Sequence, residues 1–302
     1  MKKILLLMFL LTSILNAQIS VTRTSSSKKA IKQSFSNAYD STYNFPGVKI
    51  KFLIGQTLFV KPKPEYLRKN GFLNFIKNPK RSEFAPPNIY MHSMGISSGY
   101  IALANRFFLF KDIVRTKSKK LALVLVDKNE ADTIYYIYNK YRPNSFPFLV
   151  AGYFKKIENK KLGKKFILRK LSQPIIYLTD GFEAKPGQEK LWTIDKVTLD
   201  DKNFDISYIL KDELNNKFLV SKNNFEKTAL SEANYILIKE EYPEKYKIIL
   251  NENVIVGMTK KACELSLGKP NKINTSGNLE QWQYKNLDLY FKNGLLSSYK
   301  SI

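Results

Sequence analysis

The sequence predicts an α+β protein made mostly of antiparallel β-structure. Three observations carry that expectation. Runs of β-branched and aromatic residues come in pairs around short polar turns. A glycine-led apolar segment occurs twice, as IGQTLFVK at 54–61 and LGKKFILR at 162–169. From residue 256 onward, one helical stretch precedes strands that alternate apolar and polar positions.

The chain has 302 residues. Two lysines precede an almost unbroken apolar run at 4–15, and Asn16, Ala17 and Gln18 follow. A basic start, a short apolar core and a small residue at its exit read as a secretory signal peptide over 1–17. The run falls short of the roughly 20 residues a spanning helix needs, and no lipid-attachment Cys follows it. The mature protein is therefore expected in the periplasm, peripherally on the outer membrane or outside the cell. Residues 18–44 are rich in Ser, Thr, Lys and Asn without apolar period and read as a disordered or loose lead.

A first β module is expected over 45–150. Its segment 49–60 (KIKFLIGQTLFV) reads as two strands or one bulged strand around Gly55. An insert, 61–120, follows. There, 66–76 is a short helix or a loop, Pro79, Pro86 and Pro87 forbid a long helix, and 101–110 is a buried helix or strand. Residues 121–126 (LALVLV) and 133–138 (TIYYIY) flank DKNEAD as a hairpin. A second module, 151–245, repeats the plan: FDISYIL at 204–210 and KFLV at 217–220 flank KDELNN. Both turns open with an Asp, Asp127 and Asp212. Gly55 aligns with Gly163, Leu58 with Phe166 and Val60 with Leu168. Tandem small β-barrel-like modules of the Src-homology type are the expected architecture, on strand number and segment length. Residues 228–239 read as a helix or the start of a strand, and 246–256 as β.

The tail, 246–302, is the most specific stretch. Thr259 is placed to cap a short helix whose apolar face holds Ala262 and Leu265, and Gly268 followed by Pro270 ends it. Trp282 and Tyr284 alternate on a strand, and Leu287, Leu289 and Phe291 on the next. Asn293–Gly294 is a preferred hairpin pair before a last strand. The expected unit is one helix on a three-stranded meander. In order, Gly257, Met258, Thr259, Gly268, Pro270, Trp282, Tyr284, Tyr290, Phe291, Asn293 and Gly294 give this tail a pattern that resembles the SmpA/OmlA (BamE-like) family, whose fold also occurs in beta-lactamase-inhibitor proteins. The resemblance implies a non-catalytic protein-binding or envelope-associated module, with Trp282, Tyr284 and Tyr290 as candidate contact residues; core packing is the plain alternative for Trp282 and Tyr284.

Fifty basic residues against 26 acidic give a net charge of +24. Half of that excess lies in 45–120, with 15 basic residues against three acidic. Lys61, Lys63, Arg68, Lys69, Lys77, Lys80 and Arg81, with Tyr66, Phe72 and Phe75 among them, are the candidate polyanion-binding residues. A solvated face is the bland reading of the same run. With export, the expected partner is an envelope protein or an anionic envelope polymer or lipid rather than a specific nucleic acid.

Catalytic machinery is sparse. The single His92 would have to serve any His-dependent mechanism, and one Cys, Cys263, allows no internal disulfide. No phosphate-binding glycine loop or EF-hand ladder is present, so no cofactor or metal is expected. The leading expectation is an exported bacterial cell-envelope binding or scaffolding protein without catalysis. The alternatives are a secreted glycan hydrolase with a carboxylate pair about 5–10 Å apart in the β body, and a secreted inhibitor acting through the C-terminal module.

Overall fold

A computed structural model describes residues 21–22, 43–169, 175–178, 181, 183–184 and 189–302. The expected signal peptide, 1–17, lies outside these residues, as does most of the expected lead, 18–44. The chain divides into two compact units, residues 1–160 with 198–206, and 161–197 with 207–302. It is α+β with mostly antiparallel strands in several sheets.

The first unit is built on strands β1 (Thr57–Val60), β2 (Phe107–Arg115), β3 (Leu121–Asp127), β4 (Thr133–Tyr138) and β5 (Phe148–Val150), followed by helix α1 (Ala151–Lys161). The sheet runs β5-β1-β2-β3-β4, with the short strand Phe75–Ile76 beyond β4. Among the described residues, its strand pairings are antiparallel. The β3–β4 hairpin matches the sequence expectation, Leu125 opposite Ile134 and Leu123 opposite Tyr136. Leu58, Phe108, Phe110, Leu123, Leu125, Tyr136 and Phe148 share one buried core. They sit on one face because directly opposed residues of antiparallel strands point the same way. A bulge at Lys111 breaks the β2 register.

The second unit, with residues 198–206 counted in the first, holds β6 (Lys165–Leu168), most of β7 (Leu191–Asp200) and β8 (Ile206–Lys211), β9 (Lys217–Ser221), α2 (Lys222–Thr228), β10 (Ala229–Ser231) and α3 (Glu232–Glu241). Its sheet runs β10-β6-β7-β8-β9, the same order as the first. The likeness extends to single bonds. Gly55 N–H donates to the Phe110 carbonyl and Phe110 N–H to Gln56; Gly163 N–H donates to Ile194 and Ile194 N–H to Lys164. Phe110 and Ile194 are each the fourth residue of their strand. Both glycines sit at positive φ, +86° and +73°, where a side chain would be strained. Leu58 opposes Phe108 as Phe166 opposes Trp192, and Val60 opposes Phe148 as Leu168 opposes Ala229.

The turn aspartates repeat as well. Asp127 is buried and ion-paired at 3.1 Å with Arg106, the residue before β2. Asp212 is buried and ion-paired at 2.6 Å with Lys190, the residue before β7. The expected repeat is therefore present in strand order and register. Neither sheet is a closed barrel.

Further expectations need correction. Residues 66–76 are not just a helix or a loop: Phe72–Leu73 and Phe75–Ile76 are short strands. Residues 49–60 are neither two strands nor one bulged strand: Gly47–Leu53 is a 3-10 helix and only Thr57–Val60 is a strand, and helical spacing buries Ile50 and Leu53 while Phe52 stays exposed. Residues 246–256 are not β. They begin with helix α4 (Tyr246–Leu250), in which Ile249 and Leu250 are buried with Tyr246 partly so, the i, i+3, i+4 pattern of a helix face. Helix α1 was not expected at all. The C-terminal sheet has four strands rather than three.

That C-terminal part follows helix α5 (Lys260–Leu267) with β11 (Lys272–Ser276), β12 (Leu279–Gln283), β13 (Leu287–Lys292) and β14 (Leu295–Ser301), in the order β11-β12-β13-β14. Thr259 Oγ1 accepts from Ala262 N–H at 3.2 Å, and Gly268 at φ +80° stops the helix. Strand β11 escaped the reading because all five of its residues are exposed, so no apolar alternation marks it. Trp282, Leu289, Phe291 and Leu296 join Met258, Ala262, Cys263, Ile238, Ile249 and Ile167 in one core. The C-terminal sheet thus shares its core with the helices and strand β6 of the same unit.

Candidate functional site: a basic surface on the first unit

The structure divides the seven candidate cations into two groups. Lys61 is ion-paired with Asp205 at 3.2 Å. Lys63 donates to the Gly71 carbonyl and sits 4.8 Å over the Phe72 ring, and burial lowers its pKa. Arg68 donates from Nε to the Lys63 carbonyl at 3.1 Å and stacks 5.4 Å from the Tyr100 ring. Lys63 and Arg68 hold the base of the insert together, while Lys61 is committed to Asp205. Gly71 lies here at φ +54°, where an added Cβ would collide with the Ser98 carbonyl oxygen. Phe72 and Phe75 are buried, so of the interleaved aromatics only Tyr66 is exposed.

Lys69, Lys77, Lys80 and Arg81 are exposed, and none forms an ion pair among the described residues. The last three belong to a fixed loop. Buried Asn88 accepts from Asn78 N–H at 2.9 Å and donates to the carbonyls of Asn78 and Ser82. The loop docks on the β2–β3 turn: Lys117 N–H donates to the Pro79 carbonyl at 2.8 Å. Glu83, its side chain 1% exposed, pairs with Lys120 at 2.7 Å. Burial would raise the Glu83 carboxyl; the Lys120 ammonium and the Thr116 and Ser118 hydroxyls outweigh it and hold the carboxyl below the ordinary glutamate range.

This docking joins the segment that carries Lys77, Lys80 and Arg81 to the turn that carries Arg115, Lys117, Lys119 and Lys120. The turn cations were visible in the sequence as the run KSKK at 117–120. Their meeting with the proline-rich loop was not, because 37 residues separate Glu83 from Lys120. Arg115, Lys120, Lys140 and Arg142 also line a cavity of ≈ 490 Å³ that no carboxylate lines. The Lys140–Arg142 part carried no sequence signal beyond ordinary turn composition.

The candidate aromatics of the tail separate too. Trp282 is 5% exposed, packs 4.8 Å from Phe291, and donates to Glu280. Tyr284 is half-buried and donates to the Gly268 carbonyl at 2.9 Å. Both consolidate the core rather than present a contact surface. Tyr290, half-exposed on the opposite sheet face, lines a shallow cavity of ≈ 260 Å³ with Asn274, Gln281 and Ser297.

His92 is exposed, its Nε2 3.0 Å from the Gly95 carbonyl oxygen. Two of the three described cavities have no carboxylate in their walls, and the third has only Glu280, which pairs with Lys260. Among the described residues, no cluster of three or more His, Cys, Asp or Glu is placed to hold a metal ion, and no helix is long and apolar enough to cross a membrane. Comparisons of the chain with protein-family models, curated proteins and solved structures find no match.

Proposed function

We propose that this chain is an exported bacterial cell-envelope protein that binds an anionic envelope polymer through the basic surface of its first unit and catalyses no reaction. One observation carries the reading: the loop holding Lys77, Lys80 and Arg81 is pinned to the turn holding Lys117, Lys119 and Lys120, and five of these six cations have no carboxylate partner among the described residues. Clustered cations on a fixed scaffold raise the local potential and draw a polyanion. A solvated face of scattered lysines would need no buried Glu83 holding two segments together. Export rests on the signal-like residues 1–17, for which the mature chain would begin at Gln18. The SmpA/OmlA resemblance supports an envelope setting through the tail residues already named, and Tyr290 is the candidate there for a protein contact.

The test is binding of the full mature chain to lipopolysaccharide vesicles across salt. Exposed charges are screened beyond about 8 Å at 0.15 M, so binding should weaken steeply from low to high salt. A triple reversal, Lys80→Glu, Arg81→Glu and Lys119→Glu, should abolish it while leaving the fold intact. Binding that is indifferent to salt and to the triple reversal would refute the proposal.

A further inference from the structure

The cavity of ≈ 490 Å³ lies where the β2, β3 and β4 strands end on the first unit. Its volume is that of a small-molecule site rather than a packing defect (~300–1,000 Å³). Arg115, Lys120, Lys140 and Arg142 supply four cations to its walls. Lys120 already has Glu83, and Arg115 spends Nη1 on the Lys119 carbonyl at 2.7 Å. Lys140 and Arg142 have no ion-pair partner among the described residues, and both are exposed.

The walls are preorganised. Tyr138 OH donates to the Gly47 carbonyl at 2.8 Å. The loop after β4 is closed by its own bonds: Tyr141 N–H to Asn139 Oδ1 at 3.0 Å and Ser145 Oγ to the Arg142 carbonyl at 2.8 Å. Tyr141 is 75% exposed at the rim, with Lys140 Nζ 5.0 Å from its ring centroid. A fixed loop therefore holds an exposed aromatic face between cations, with amide and hydroxyl groups beside it.

We propose that this cavity binds one anionic sugar residue, a hexose ring bearing a phosphate or carboxylate, as the recognition unit of the polymer. The proposal rests on the polyanion reading above and specifies its ligand. The Arg142 guanidinium and Lys140 ammonium take the oxyanion. An arginine fork matches the two oxygens of a carboxylate or phosphate. Tyr141 offers its face to the ring, and the amides of Asn74 and Asn139, in the same lining, suit ring hydroxyls. A simple ion would use the cations and leave the tyrosine idle.

The test is calorimetry of the full mature chain with glucose 6-phosphate, glucuronate, glucose and inorganic phosphate. One site for glucose 6-phosphate or glucuronate is expected, at least about 10-fold tighter than for glucose or inorganic phosphate. Which of the two acids binds tells a phosphorylated from a uronate glycan. Arg142→Ala should weaken sugar-acid binding about 10-fold or more, the loss expected for one charge-assisted hydrogen bond. Tyr141→Ala should weaken the sugar acid and leave inorganic phosphate unchanged. Both side chains are exposed, so neither variant threatens the fold. Inorganic phosphate matching the sugar acids, or a single-stranded oligonucleotide displacing them at lower concentration than any anionic glycan, would overturn the proposal. If lipopolysaccharide still binds in a salt-dependent way while Tyr141→Ala and Arg142→Ala change nothing, the cavity is wrong and the basic surface stands. If salt-dependent binding itself is absent, both fall.

Discussion

Glu83→Gln tests the joint on which the basic surface depends. The Glu83 side chain is 1% exposed and its Lys120 partner 44% exposed, at 2.7 Å. A hydrogen bond between charged groups contributes about 1.5–3 kcal/mol when buried. Because the lysine end is open to solvent, the figure must be discounted for screening, leaving about 1–2 kcal/mol for unit 1. That corresponds to a fall in Tm of about 2–8 °C for a unit of this size. The pH dependence is distinctive. Glu83 is held below its ordinary value, so its stabilising contribution is fully present above the unfolded glutamate pKa, about 4.3. It is lost as pH falls through the folded value. Thermal melts of the parent and Glu83→Gln should therefore differ at pH 7 and converge under acid. The variant should also bind lipopolysaccharide more weakly at low salt, because the loop at Pro79 loses its ion pair to the β2–β3 turn. A Tm difference that persists unchanged into acid would show that packing, not the ion pair, holds the joint. No Tm difference at pH 7 would refute the reasoning outright.

Three further outcomes are expected. Trp282→Ala should cost about 3–5 kcal/mol in chemical denaturation, the range for a buried aromatic, and a near-neutral result would contradict its place in the core. Thr259→Ala should remove the α5 cap at a cost of about 1 kcal/mol, measured in the same way, with Thr259→Ser retaining most of the parent stability. Burial pushes the Cys263 thiol up to about 11, so the folded protein should resist alkylation at pH 8 and react on unfolding. Rapid labelling of the native chain would place Cys263 at the surface.

The two hairpins were legible because β-branched and aromatic runs around a polar turn leave one low-energy pairing. The tail helix was legible for the same kind of local reason: Thr259 and Gly268 satisfy or release backbone groups within a few residues of themselves. The glycine echo was readable as well, since both glycines occupy positive φ before a buried strand. The partners of the matching turn aspartates were not readable, because Asp127 pairs with Arg106 and Asp212 with Lys190, each about 20 positions away.

Local chemistry therefore determined the α+β class, the paired strands, the capped helix and the uneven charge. Tertiary structure decided which of those charges and aromatics remain available. Lys63 and Arg68 were turned inward onto the Phe72 and Tyr100 rings, and Trp282 was committed to a core. Lys77, Lys80 and Arg81 were carried to a turn some 40 residues away. The physical reason is that burial and ion pairing depend on through-space distance, and a long insert with several prolines leaves that distance unspecified until Glu83 finds Lys120.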